Sequence, residues 1–134
     1  MRLLTMIVLA AGLGAAGDIK VIANVSVTAA SISADELKGV FLATKTSLSD
    51  GSRVEPVIAK GGATHEAFAR EHLGKTAPAL ETYYRSLVFT GKGAMPKSAA
   101  SDAEVVALVS KTKGAIGYVS AAAPTAGVKV LPIK

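Results

Sequence analysis

Residues 101–120, SDAEVVALVSKTKGAIGYVS, carry a helix start, a helix stop and a buried strand in succession. The Ser101 hydroxyl is placed to cap a helix, with Glu104 reaching back to a free amide three residues upstream. Val105, Val106 and Val109 form an apolar stripe at helical spacing, and Lys113 with Gly114 closes the last turn. Residues 115–119 follow at once as a short apolar strand. A tight join of this kind belongs to layered α/β proteins, in which helices cover a sheet whose strands read as apolar runs.

Outward from this unit the same grammar recurs. Residues 19–27, IKVIANVSV, are rich in β-branched side chains and make the first strand. Ser33 and Glu36 form a second capping box, opening a helix whose Leu37, Val40 and Phe41 share one face. Asp50 and Gly51 mark a turn before a strand over residues 54–59, where Pro56 argues for an edge position or a strand end. Lys60, Gly61, Gly62, Ala63 and Thr64 then lead into a helix with Thr64 as its natural N-cap, Phe68 facing inward and Gly74 as its stop. Pro78 suits the first turn of a further helix carrying Leu80, Tyr83, Tyr84, Leu87 and Val88, with the tyrosines packed in the core and their hydroxyls at the rim, the rival reading being that they line a ligand groove. Residues 90–100 read as a loop by composition, and residues 128–133 as a last strand.

The chain of 134 residues suits one core, and no linker or repeat divides it. Its first seventeen residues differ in kind: Arg2, a continuous apolar run, then Gly14, Ala15, Ala16 and Gly17. This is the layout of a secretory signal peptide, so residues 1–17 are expected to be a leader and residues 18–134 the domain, periplasmic or otherwise exported. A membrane anchor is the rival reading, disfavoured because the run falls short of the ~20 residues of a spanning helix. After cleavage no stable membrane insertion is expected.

There is no cysteine, which excludes disulfides, thiol chemistry and sulfur-built zinc sites. The net charge of +5, or +4 without Arg2, mildly favours anions. Scattered lysines and 4% aromatic residues argue against nucleic acid, since no stacking platform interleaves the charges.

The feature with mechanical content is the strand, glycine turn and helix start that holds Lys60, Gly61, Gly62, Ala63, Thr64 and His65. A helix N-terminus preceded by glycines presents unpaired amides and a partial positive charge, a geometry that holds phosphate, sulfate or carboxylate. Lys60 adds charge and the Thr64 hydroxyl a donor. The competing reading is that the glycines only turn the chain. His65 and His72, seven apart on one helix, are too far from each other for a shared metal and read as exposed. No nucleophile motif accompanies them, so no enzyme, metal or cofactor is expected.

Taken together, the segment from Ser33 to Val57, the THEAFAREHLG run opening at Thr64, the TYYRSLVFTGKGAMPKS run and the EVVALVSKTKGAIGYVS run resemble the phosphate-type substrate-binding proteins of bacterial ABC transporters, in particular short single-domain relatives with a type II periplasmic-binding-protein-like fold. The resemblance spans residues 19–133. It implies a single-lobe three-layer α/β sandwich with a mixed sheet flanked by helices. It also implies a non-enzymatic, exported binding role for phosphate or another small anion, with a transporter permease or another periplasmic protein as partner. Full-length members clamp an oxyanion between two lobes, one of which carries an arginine and then a Ser-Gly-Thr run opening a helix. Aligned on Phe68, the threonine falls on Thr64, the glycine on Ala63, the serine on Gly62 and the arginine on Ile58, so the hydroxyl of the serine and the guanidinium are missing here. The alternative is a ligand-free interaction module derived from such a lobe.

Overall fold

The computed structural model describes residues 19–134. The expected leader, residues 1–17, lies outside the described residues. In chain order the elements are β1 (Ile19–Ala23), α1 (Ala34–Phe41), β2 (Glu55–Ala59), α2 (Ala63–Phe68), a π-helical continuation of α2 (Ala69–Leu73), α3 (Ala77–Phe89), β3 (Lys97–Ala99), α4 (Asp102–Lys111), β4 (Ala115–Ser120) and β5 (Lys129–Leu131). The strands form one mixed sheet in the order β3-β2-β4-β1-β5. β2 runs parallel to β3 and β4, whereas β1 is antiparallel to β4 and β5.

The two-residue period of the strands divides the core into two layers. Val21, Ala23, Ile58, Ile116, Tyr118 and Leu131 pack with α1, α2 and α3 on one face. Ile22, Val57, Ala115 and Val119 pack with Val105 and Val109 of α4 on the other. The molecule is therefore the three-layer α/β sandwich with a flanked mixed sheet that the resemblance implied. No described helix is long and apolar enough to cross a membrane.

The segment 101–120 folds nearly as its residues dictate. The Ser101 Oγ accepts from the Glu104 amide at 3.2 Å, while the Glu104 carboxylate takes the Ala100 amide at 3.0 Å. α4 ends at Lys111, and Gly114 takes φ +77° where a Cβ would lie 2.7 Å from the Arg53 carbonyl oxygen. Gly117 faces Val105 and Val109, each of which would stand 3.1 Å from an added Cβ, so its lack of a side chain sets how closely α4 lies on the sheet. Asn24 completes the join: its side-chain amide donates to the Val109 and Ser110 carbonyls at the end of α4, and its oxygen accepts from the Ser26 amide.

Three local expectations are corrected. Pro56 does not mark an edge, because β2 has a strand on each side; it sits at the strand end, and pairing with β3 starts only at Val57. Since the Glu55 amide bonds the carbonyl of Gly114, the residue just before β4, alternation turns the Pro56 nitrogen toward the side that β3 has not yet reached, where no donor is needed. Residues 90–100 are not wholly a loop, for Lys97–Ala99 adds the edge strand β3. The tyrosine hydroxyls are not at a rim: Tyr83 donates to the Leu42 carbonyl at 2.6 Å and Tyr84 to that of Phe41 at 2.7 Å, satisfying the end of α1.

Gly114→Ala should lower unfolding free energy by about 1–3 kcal/mol from its backbone alone, with the Arg53 contact adding to the loss. Gly51→Ala, also at positive φ but with nothing within 4 Å, should cost less. Equal losses in urea titrations would contradict the packing account. The Glu36 carboxylate accepts the Ser33 amide at 3.1 Å and the Ser49 amide at 2.7 Å, which holds its ionisation below the usual 4.5. Its contribution is therefore complete at neutral pH and is lost as pH falls below 4.5 through the depressed value. Glu36→Gln should be less stable at neutral pH and show a shallower acid loss; parallel pH–stability curves would count against this bond network.

Candidate functional site

The helices after β2 and β3 leave the sheet on opposite faces. β2 feeds α2, whose Phe68 packs in the layer with α1 and α3, while β3 feeds α4 in the other layer. Adjacent parallel strands whose following helices part in this way open a crevice at their carboxyl ends, the place where open α/β sheets bind ligands. A cleft of about 380 Å³ lies there, lined by Ile58, Ala59, Lys60 and Gly61 at the end of β2, Ser98 of β3, His65 and Glu66 of α2, Ala77, Pro78, Leu80, Glu81 and Tyr84 of α3, and Met95.

Of the six residues singled out in the sequence, Lys60, Gly61 and His65 line this cleft. Gly62, Ala63 and Thr64 lie on the same turn without lining it. Thr64 is not the N-cap. Gly62 holds that position at φ +96°, with no side-chain bond, because the chain reverses two residues earlier in a conformation that favours glycine. Among the described residues, the amides of Gly61, Gly62, Ala63, Thr64 and His65 donate no hydrogen bond. Lys60 is exposed, and its own amide is tied to the Ala99 carbonyl at 2.9 Å, which fixes the lip of the cleft to β3.

His65 is buried, not exposed, and this is the largest departure from the sequence reading. Its Nδ1 meets the Tyr118 hydroxyl at 2.5 Å, and that hydroxyl also accepts from the Ala59 amide at 3.1 Å. Burial pushes the imidazole's ionisation below its usual value, Glu66 opposing in part, so the ring is held neutral. Tyr118 itself is fully buried, stacked on Phe68 at 3.8 Å between centroids and edge-on to Phe41, and burial drives its ionisation well above the phenol range. The π-helical turn after α2 preserves this packing: an added residue per turn brings Phe68 and Leu73, five apart, toward one face, where both are buried. His72, a turn beyond, is half-buried, not exposed, and lies tilted against Phe68.

No local pattern links positions 65 and 118, which lie 53 residues apart. The available signal was a tyrosine in an otherwise apolar buried strand, whose hydroxyl must find a partner. Among the described residues no cluster of three His, Cys, Asp or Glu could hold a metal. Charge in the cleft is mixed: Lys60 is its cation, Glu66 and Glu81 are its carboxylates, and Glu81 is shared with Arg85 at 2.7 Å.

No protein-family model and no curated protein sequence matches the chain. Solved structures do. A putative phosphate ABC transporter substrate-binding protein with bound phosphate from Clostridium perfringens matches with TM-score 0.64 at 17% identity, over 87% of this chain and 44% of that one. PstS from Borrelia burgdorferi matches with TM-score 0.65 at 12% identity, over 87% and 47%. An ABC-type phosphate transport receptor from Vibrio cholerae matches with TM-score 0.57 at 13% identity, over 85% and 45%. The chain spans less than half the length of each of these proteins. Its fold is that of one lobe of the phosphate-type ABC transporter substrate-binding proteins.

Proposed function

We propose that this chain is an exported, non-enzymatic solute-binding lobe that holds phosphate or another small anion at the turn formed by Lys60, Gly61, Gly62, Ala63, Thr64 and His65. In this reading the solute is passed to an ABC transporter permease or another periplasmic protein. The observation that carries the reading is the cleft at the carboxyl ends of β2 and β3, beside amides that have no acceptor among the described residues. Lys60 supplies long-range attraction and the amides supply direction, without a covalent step. The likeness to proteins described as phosphate receptors supports an anion as occupant.

Ile58 decides how strong the binding is. It lines the cleft as a buried aliphatic side chain where the resembled proteins carry an arginine, so no bidentate guanidinium faces the anion. One lobe also covers only one side of an ion. Affinity is therefore modest and salt-sensitive.

A second reading, a lobe that uses its surface to meet another protein, draws on Phe89, 94% exposed at the end of α3, next to the exposed Val88. Light scattering after size exclusion tests it for self-association, since a strict monomer removes a second copy as the partner.

Calorimetric titration with phosphate, sulfate and acetate into the millimolar range should show weak binding that fades as salt rises. Lys60→Ala should weaken it about twofold to fivefold, the effect of one exposed charge worth roughly 0.5–1 kcal/mol. Flat titrations with every anion, or binding indifferent to both salt and Lys60, would remove the proposal.

A further inference from the structure

His65 presents a polar atom that nothing in the fold uses. The side chain is buried, with the residue only 7% exposed, and its Nδ1 is taken by Tyr118, while its Nε2 has no hydrogen-bond partner among the described residues. A buried polar group left unpaired is costly, which leaves this nitrogen in want of a partner. His65 is one of the residues lining the cleft, and Nε2 is the ring nitrogen left for an occupant.

The hydrogen-bond pattern also fixes what Nε2 can do. The Tyr118 oxygen already accepts from the Ala59 amide, and its single proton has to go somewhere inside a fully buried core. Donating that proton to His65 Nδ1 satisfies both groups. The opposite arrangement, Nδ1–H donating to tyrosine, strands the hydroxyl proton. The neutral ring therefore carries its hydrogen on Nε2 and offers the cleft a donor, so the occupant must bring an acceptor.

Three further observations narrow the occupant. The cleft volume of about 380 Å³ lies within the range of roughly 300–1,000 Å³ usual for organic ligands and exceeds what a single tetrahedral oxyanion fills. Part of its lining is apolar, contributed by Ala77, Pro78, Leu80 and Met95. Its lining charges are mixed, one lysine against Glu66 and Glu81, the latter paired with Arg85, which makes the cleft less hospitable to a multiply charged anion than to a singly charged one.

We infer that the cleft takes a small organic monocarboxylate, its carboxylate accepting from His65 Nε2–H near Lys60 and its aliphatic tail lying on the wall of Pro78, Leu80 and Met95. The inference rests on reading this cleft as a solute site and goes further by naming the class of solute. Tyr118 is a positioning residue in it, because it sets which nitrogen bears the proton.

The test titrates the protein with hexanoate, acetate and inorganic phosphate by calorimetry and follows His65 in long-range proton–nitrogen spectra. Hexanoate should bind at least about tenfold more tightly than acetate, since each buried methylene is worth ~0.8 kcal/mol, or roughly fourfold. The spectra should show a proton on Nε2 and none on Nδ1, with the Nε2 signal moving on addition of hexanoate. Met95→Asp, at a half-exposed position that the core does not need, should erase the tenfold preference for hexanoate over acetate. Equal affinity for the two carboxylates, a proton on Nδ1, or a Met95→Asp variant that keeps the tenfold preference would overturn the inference. Phosphate binding without hexanoate binding would overturn it while leaving the anion-binding reading intact; no binding of any probe would overturn both.

Discussion

One buried hydroxyl ties the sheet to the site. The Tyr118 oxygen accepts the Ala59 amide of the neighbouring strand and meets His65 of α2, while the Tyr118 ring is stacked on Phe68 and touches Phe41 edge-on. One side chain of β4 thus fixes the carboxyl end of β2, the start of α2 and, through Phe41, the helix α1 on the same face. A low-dielectric surrounding strengthens such a network when every member is satisfied and penalises it heavily when one is not. Removing the hydroxyl would leave both the Ala59 amide and the imidazole without their partner, so the lip of the cleft and its donor depend on the same oxygen.

Much of the frame is local in origin and was legible for that reason. Ser33 with Glu36 and Ser101 with Glu104 cap helices by bonds that reach no further than four residues, and the glycines at 74 and 114 end helical segments at positive φ. The alternation Ala115, Ile116, Gly117, Tyr118, Val119 likewise distributes side chains between two layers whatever lies beyond them. Strand order is different in kind. Pro56 is compatible with an interior strand only because β3 begins one residue later, and no feature of Pro56 itself discloses where another strand starts. β3 is three residues of polar and small character held by pairing with β2, a non-local interaction.

The site was legible in part for the same reason. Lys60 and Gly61 announce a turn leading from strand to helix, and the turn does open into a cleft. Thr64 was misplaced because a glycine at φ +96° starts the helix two residues earlier than a hydroxyl cap at 64 would. His65 reads as a surface residue in a helix of mixed character until the fold brings Tyr118 beneath it. The Lys-Gly-Ala-Ile-Gly-Tyr run that marks the resemblance has a physical meaning here: Gly114 clears the Arg53 carbonyl, Gly117 admits α4, and Tyr118 holds the site. The resemblance implies an arginine where Ile58 stands, and Ile58 lines the cleft as a buried aliphatic side chain without disturbing the layers that form it.

The most direct measurement is a crystal structure of the protein grown with a bromine-tipped short-chain carboxylate, located by anomalous scattering. The account predicts carboxylate oxygens within hydrogen-bond reach of His65 Nε2 and bromine against Pro78 and Met95, with Tyr118 still bridging Ala59 and His65. A cleft filled by the protein's own side chains, or a His65 ring turned so that Nε2 bonds within the chain while the carboxylate binds elsewhere, would contradict it.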